Sequence, residues 1–218
     1  MLRHLAFPGK YSRGWFVILL GVLILGVPLA ARAAGGPLGI DHRLPYDDSG
    51  IWGKAHQNQL LGATLLFVGA GALWEGNDTR LGHTLWQSGD ALMMTAVSVF
   101  ALENTFQRER PQDTANPDRW GQGFGNTSFP SGHASLSAAA ITPIVLEYGH
   151  DHPWVWALEA IPLYESIARV KTREHWQTDV LAGWALGTAL GFYAHSRKIP
   201  ILIVILPHGF AVGLHLKF

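Results

Sequence analysis

Residues 169–179 read Arg-Val-Lys-Thr-Arg-Glu-His-Trp-Gln-Thr-Asp, which brings an arginine, a histidine and, four residues after the histidine, an aspartate into one short stretch. If His175 opens a helix, Asp179 lies one turn along the same face and can hold the Nδ1–H. Nε2 is then left bare and able to attack. A second histidine stands in Pro130-Ser131-Gly132-His133, directly ahead of an Ala-rich run. There Pro130 fixes its own φ, Ser131 can cap, and Gly132 lets the backbone come close to a ligand. The unpaired amides of the helix start make an anion site before any side chain is counted. An ordinary N-cap with a surface histidine is the competing use of the same tetrapeptide. A third stretch, Arg108-Glu109-Arg110-Pro111, ends a helix and supplies guanidinium groups suited to phosphate oxygens.

His133, His175 and Asp179 could instead ligate a metal, since two histidines and a carboxylate are common ligands. Two arginines in the same constellation argue against this, because they repel a divalent cation and favour an oxyanion. No metal is expected. His150 and His152, in the turn Tyr148-Gly149-His150-Asp151-His152-Pro153, read as solvated loop residues.

The elements that must position these groups are helical. Of 218 residues 48% are hydrophobic and 15% charged, and Lys+Arg equals Asp+Glu at 16 each, so no basic excess exists to hold nucleic acid. The absence of Cys excludes a disulfide framework and a thiolate metal site. Apolar segments recur at 60–74, 91–102, 134–146, 154–170 and 180–194. Each is bounded by Gly, Pro, Asn or Asp, and none alternates strictly, which predicts an all-α bundle of five to six helices. None reaches the roughly 18 to 20 uninterrupted apolar residues of a membrane span. Residues 199–218 change character: a dense β-branched run, the turn Pro207-His208-Gly209, then period-two alternation. They read as a short C-terminal β-hairpin, with a sixth helix as the rival for its first arm.

Arg3, Lys10 and Arg13 lead into an apolar run over 15–27, and Ala31-Arg32-Ala33 supplies a cleavage signature. Residues 1–33 are therefore expected to be a signal peptide, with an uncleaved anchor as the alternative. Export follows in both cases, to the periplasm or membrane of a cell envelope. The remaining organisation is a lead-in loop over 34–58, a helical domain over 59–198 and the tail over 199–218.

In their order and spacing, Arg110-Pro111, Pro130-Ser131-Gly132-His133, and Arg169 with His175 and Asp179 resemble the three signature motifs of the type 2 phosphatidic acid phosphatases. That superfamily is shared with bacterial acid phosphatases and vanadium haloperoxidases, and the resemblance covers roughly residues 90–195. It implies a helical bundle, no metal or other cofactor, and a phosphohistidine intermediate. It makes His175 the nucleophile, Asp179 its orienting partner and His133 the acid that protonates the leaving oxygen. Arg110, Arg169 and the Ser131/Gly132 backbone become the ligands of the equatorial oxygens.

Two positions depart from the pattern. The family's first motif begins with a lysine seven residues before its Arg-Pro, and here that position is Glu103. The third motif usually has a serine before its arginine, and here Ala168 stands there. Arg108 or Lys171 are the candidates for the missing positive charge. The expected activity is metal-independent hydrolysis of a phosphomonoester or pyrophosphate, carried by an isoprenyl, glycerolipid or lipid A phosphate. The contrary expectation is a non-catalytic envelope protein that keeps the anion site, with Glu103 marking lost activity; a vanadate-dependent oxidase is a third. Eight tryptophans (52, 74, 86, 120, 154, 156, 176 and 184) are candidates for an interfacial belt or for the core.

Overall fold

A computed structural model describes residues 35–197, together with the backbone of 202–206 and 209–213. The expected signal peptide lies outside the described residues. Helix α1 spans Lys54–Glu75, α2 Arg80–Phe106, α3 Gly132–Tyr148, α4 Ala160–Lys171 and α5 Gln177–His195. Short 3-10 turns lie at Gly50–Trp52 and Pro153–Glu159. The domain is thus all-α. The tail pairs as antiparallel strands β1, Leu202–Leu206, and β2, Gly209–Gly213, with Leu206 opposite Gly209, so the hairpin forms and the rival sixth helix does not.

Three elements depart from their expected bounds, the largest shift being in α2, which begins at Arg80 rather than near Ala91 because Thr79 Oγ1 caps it by accepting the Gly82 N–H at 2.9 Å. The first helix begins at Lys54 rather than near Leu60, because Asp48 Oδ1 accepts the Lys54 N–H at 2.7 Å and starts the helix within the expected lead-in loop. The segment 154–170 is not one helix. Pro162 has no N–H to offer the carbonyl four residues back, and the chain ahead of Ala160 takes the tighter 3-10 form.

Helix α3 is the centre of the bundle and packs on α2, α4 and α5. Its crossing with α5 is set by small residues. A Cβ added at Gly183 would lie 2.6 Å from the Ser131 carbonyl oxygen, and one at Gly187 only 2.0 Å from that of Ser135. Only glycine allows this approach, which holds the first turn of α5, with Asp179, against the first turn of α3, with His133. The larger apolar core lies toward the other end, where Val68 and Ala72 of α1 and Leu85 of α2 meet Ile141, Ile144 and Val145 of α3.

Helix α2 ends before Arg108-Glu109-Arg110, not at it. Gln107 takes a left-handed conformation (φ 45°) and caps the helix by donating its N–H to Glu103 O at 2.9 Å, which throws the two arginines into a loop. Of the tryptophans, Trp176 is fully buried, whereas Trp74, Trp154 and Trp156 are exposed. So are Leu66, Phe67 and Leu73 on α1 and Val97 and Phe100 on α2. Among the described residues no helix is long and apolar enough to cross a membrane.

Candidate active site

The turn between α4 and α5 folds back on the end of α4. The amides of Glu174 and His175 both donate to Arg169 O, at 3.0 and 3.3 Å, so arginine, glutamate and histidine stand side by side although five and six residues apart. His175 is 2% exposed. Its Nδ1–H donates to the main-chain carbonyl of Ser128 at 2.7 Å, which fixes the tautomer with a bare Nε2. Burial, then the charges of Arg169 and Arg110, hold its pKa well below the usual histidine range, so the ring is neutral at neutral pH.

The expected bond from His175 to Asp179 is not made; the closest approach, to Asp179 Oδ2, is 3.9 Å. The physical reason is the helix start. Helix α5 begins at Gln177, so His175 and Asp179 do not share a helical face. Asp179, in the first turn, reaches back instead to the Trp176 N–H at 2.9 Å. Its remaining capacity goes to Ser128 Oγ–H, at 2.6 Å, and to an ion pair with Arg108. Asp179 therefore acts on the histidine at one remove, by fixing the Ser128 residue whose carbonyl orients it. Burial raises the Asp179 pKa to about 6 against the pull of Arg108 and its other donors, which leaves it ionised at neutral pH.

Arg108 is committed to structure and cannot supply the missing charge at the site. It is fully buried, ion-paired with Asp41 and Asp179, donates to Thr178 Oγ1 and to Pro117 O, and lies under the Trp120 ring. Lys171 is likewise occupied, by Asp47 at 3.4 Å and the Trp52 face. Asp41, which no motif marked, closes this network: its two oxygens also take the Thr178 amide, at 2.8 Å, and hydroxyl, at 2.6 Å.

Arg110 and Arg169 do converge. Both donate to Glu174 Oε2, Arg169 at 3.2 Å, while Arg110 is steadied by Thr127 and Arg169 by Gln57 Oε1 at 3.2 Å. Arg169 is buried, and its Nε has no acceptor among the described residues. Of the two expected backbone donors, Ser131 N–H is taken by the Asp179 carbonyl at 3.0 Å. The amides of Gly132 and His133, at the start of α3, donate to no backbone carbonyl among the described residues.

His133 is half-buried and its Nε2–H donates to Asn58 Oδ1 at 3.1 Å. Burial and the Arg169 charge lower its pKa to about 4. It is therefore neutral in the free protein at neutral pH. Glu103 makes no ion pair with Arg108 or Arg110 among the described residues. Burial raises its pKa to about 7, Arg110 pulling the other way.

An all-α bundle that brings Arg110, His133, Arg169 and His175 together sets two guanidinium groups beside neutral histidines, an arrangement with the chemistry of an oxyanion site. Residues 84–198, more than half of the chain, match the family model of the PAP2 superfamily, and the chain belongs to it. It is 30% identical over 119 residues to a lipid A 1-phosphatase of Porphyromonas gingivalis, covering 54% of this chain and 24% of that protein. It is 36% identical over 66 residues to an undecaprenyl-diphosphatase of Sulfolobus acidocaldarius, covering 30% of this chain and 31% of that protein. The chain thus spans about a quarter to a third of the length of these curated relatives. No solved structure matches it.

The pKa of Glu103 sets up one measurable effect. Below pH 7 its carboxyl is largely neutral; above, it adds a negative charge near Arg110 and opposes a phosphate anion. A repulsion of roughly 1 kcal/mol, about five-fold in kcat/KM, is expected. The ratio of kcat/KM for Glu103→Gln over wild type should therefore be near one at about pH 5.5 and rise several-fold by about pH 8.5. A ratio that stays flat across this range would show that Glu103 faces away from the bound anion.

Proposed function

We propose that this chain is a metal-independent phosphatase of the cell envelope that releases phosphate from a lipid phosphomonoester or pyrophosphate through a phosphohistidine. The observation that carries it is the meeting of two guanidinium groups on one carboxylate beside a neutral histidine whose Nδ1–H is fixed. In the first step His175 Nε2 forms a bond to phosphorus as the bond to the leaving oxygen breaks. Arg110, Arg169 and the Gly132 and His133 amides hold the three equatorial oxygens. The bound dianion raises the pKa of His133, which then gives a proton to the leaving oxygen. In the second step water attacks phosphorus, His133 takes its proton back, and the phosphorus–nitrogen bond breaks.

A lipid substrate is supported by the names of the two relatives and by the exposed Val97 and Phe100 side chains on the half of α2 that leads to this end of the bundle. The basic leader and apolar run ahead of Ala33 support export. A non-catalytic reading keeps one observation in its favour, Glu103 in place of a lysine. Fractionation of producing cells and an assay of the envelope-derived protein decide between them. Phosphate should be released from phosphatidate, isoprenyl pyrophosphate or lipid A in the presence of chelator, with inhibition by low vanadate. Absence of release from all three classes, or recovery only in a cytoplasmic fraction, would refute the proposal.

A further inference from the structure

We infer that Lys54, the first residue of α1, is a phosphate ligand and replaces the ammonium lost at Glu103. This rests on the proposed reaction and lies outside the segment matched by the family. Lys54 Nζ forms an ion pair with Glu174 Oε1, and the other oxygen of the same carboxylate takes Arg110 and Arg169. The ammonium therefore stands one carboxylate width from the point where both guanidinium groups meet.

The placement is not incidental to α1. Lys54, Gln57 and Asn58 are spaced three and four residues apart and so lie on one helical face. Gln57 holds Arg169 and Asn58 holds His133, at 3.2 and 3.1 Å, so this face is a wall of the site. The Lys54 backbone is pinned by Asp48 while its side chain remains 37% exposed, free to exchange one oxygen for another. A lysine suits that exchange, having three rotatable donors on a flexible stem.

Three cations share one carboxylate as their ion-pair partner, Glu165 and Glu103 acting on Arg169 and Arg110 without an ion pair, and the buried Arg169 Nε has no partner among the described residues. A phosphate dianion in place of Glu174 meets that excess and offers an oxygen to each cation. Arg108 and Lys171, the other lysine or arginine candidates, are occupied elsewhere.

Orthovanadate binding to the full chain, measured by calorimetry, tests this without requiring turnover. Lys54→Met should weaken binding about ten- to hundred-fold, the scale of a lost hydrogen bond between charged groups, and Lys54→Arg should recover most of it. The thermal midpoint should move little in either variant, since the buried Glu174 keeps Arg110 and Arg169 as partners when the half-exposed Lys54 is lost. A purely structural role predicts the reverse, a lowered midpoint with unchanged vanadate affinity, and would overturn the assignment. So would an arginine variant as weak as the methionine one. Should wild type release no phosphate while its vanadate affinity still depends on Lys54, the hydrolase reading falls and the ligand assignment stands. Wild type that neither binds vanadate nor turns over refutes both.

Discussion

Replacing His175 by alanine is expected to lower phosphate release at least about a thousand-fold and to abolish the acid-labile phosphoenzyme, while the protein stays folded and still binds vanadate. The size of the effect follows from the position of the ring. Its Nδ1–H is fixed on the Ser128 carbonyl and its pKa is held low by burial and two arginines, so Nε2 needs no base to activate it. No other described imidazole is placed to replace it, because His133 is turned toward Asn58. The cations that bind the anion come from other residues, so anion binding should survive the loss of the nucleophile. Rapid-quench labelling with a ³²P substrate would read the intermediate directly. Label trapped on the alanine variant at wild-type levels would place the covalent bond elsewhere.

Arg108→Met should cost about 3 to 5 kcal/mol of folding stability, because it leaves Asp41 and Asp179 buried without their shared cation. For a chain of this size that is a fall of roughly 10 °C in Tm. The loss should shrink when Asp41→Asn is added, since one of the two stranded charges is then removed. Denaturant titration of the single and double variants measures both terms. A loss below about 1 kcal/mol would mean that water reaches the pair. Activity should fall as well, through Asp179 and Ser128 rather than through contact with substrate, and this should appear in kcat more than in vanadate affinity.

The helices and the clustering of the candidate site residues were legible because their signals are local. Apolar segments between breakers mark helices. Arginine, histidine and glycine at short spacings mark a site, and Arg110, Arg169, His133 and His175 do come together. What was not legible depends on where a helix starts or on groups far away along the chain. The His175–Asp179 bond was expected from an i,i+4 spacing that holds only inside a helix, and α5 starts two residues too late for it. The true partner of His175 is a backbone carbonyl, which no residue type announces. Asp41, Lys54, Gln57 and Asn58 reach the site from 67 to 137 residues away in pairs such as Asp41 with Arg108 and with Thr178. They sit in a stretch that composition marks only as turn-forming and the start of an apolar run. The break at Pro162 is written in its missing N–H, but the apolar pattern around it runs on without interruption and masks that signal.

Glu174 has a kinetic meaning beyond its place among the cations. It is joined to Arg169 by a short turn whose amides are tied to the Arg169 carbonyl, so it can never diffuse away. A tethered carboxylate is present at an effective concentration in the millimolar range or above, whatever the surrounding solution contains. In the proposed reaction, chloride, acetate and other singly charged solutes compete with this carboxylate on charge alone, whereas a phosphate group, with more charge and more oxygens, is expected to displace it. The same leash should return the carboxylate as inorganic phosphate leaves, so that the site carries its own counter-ion.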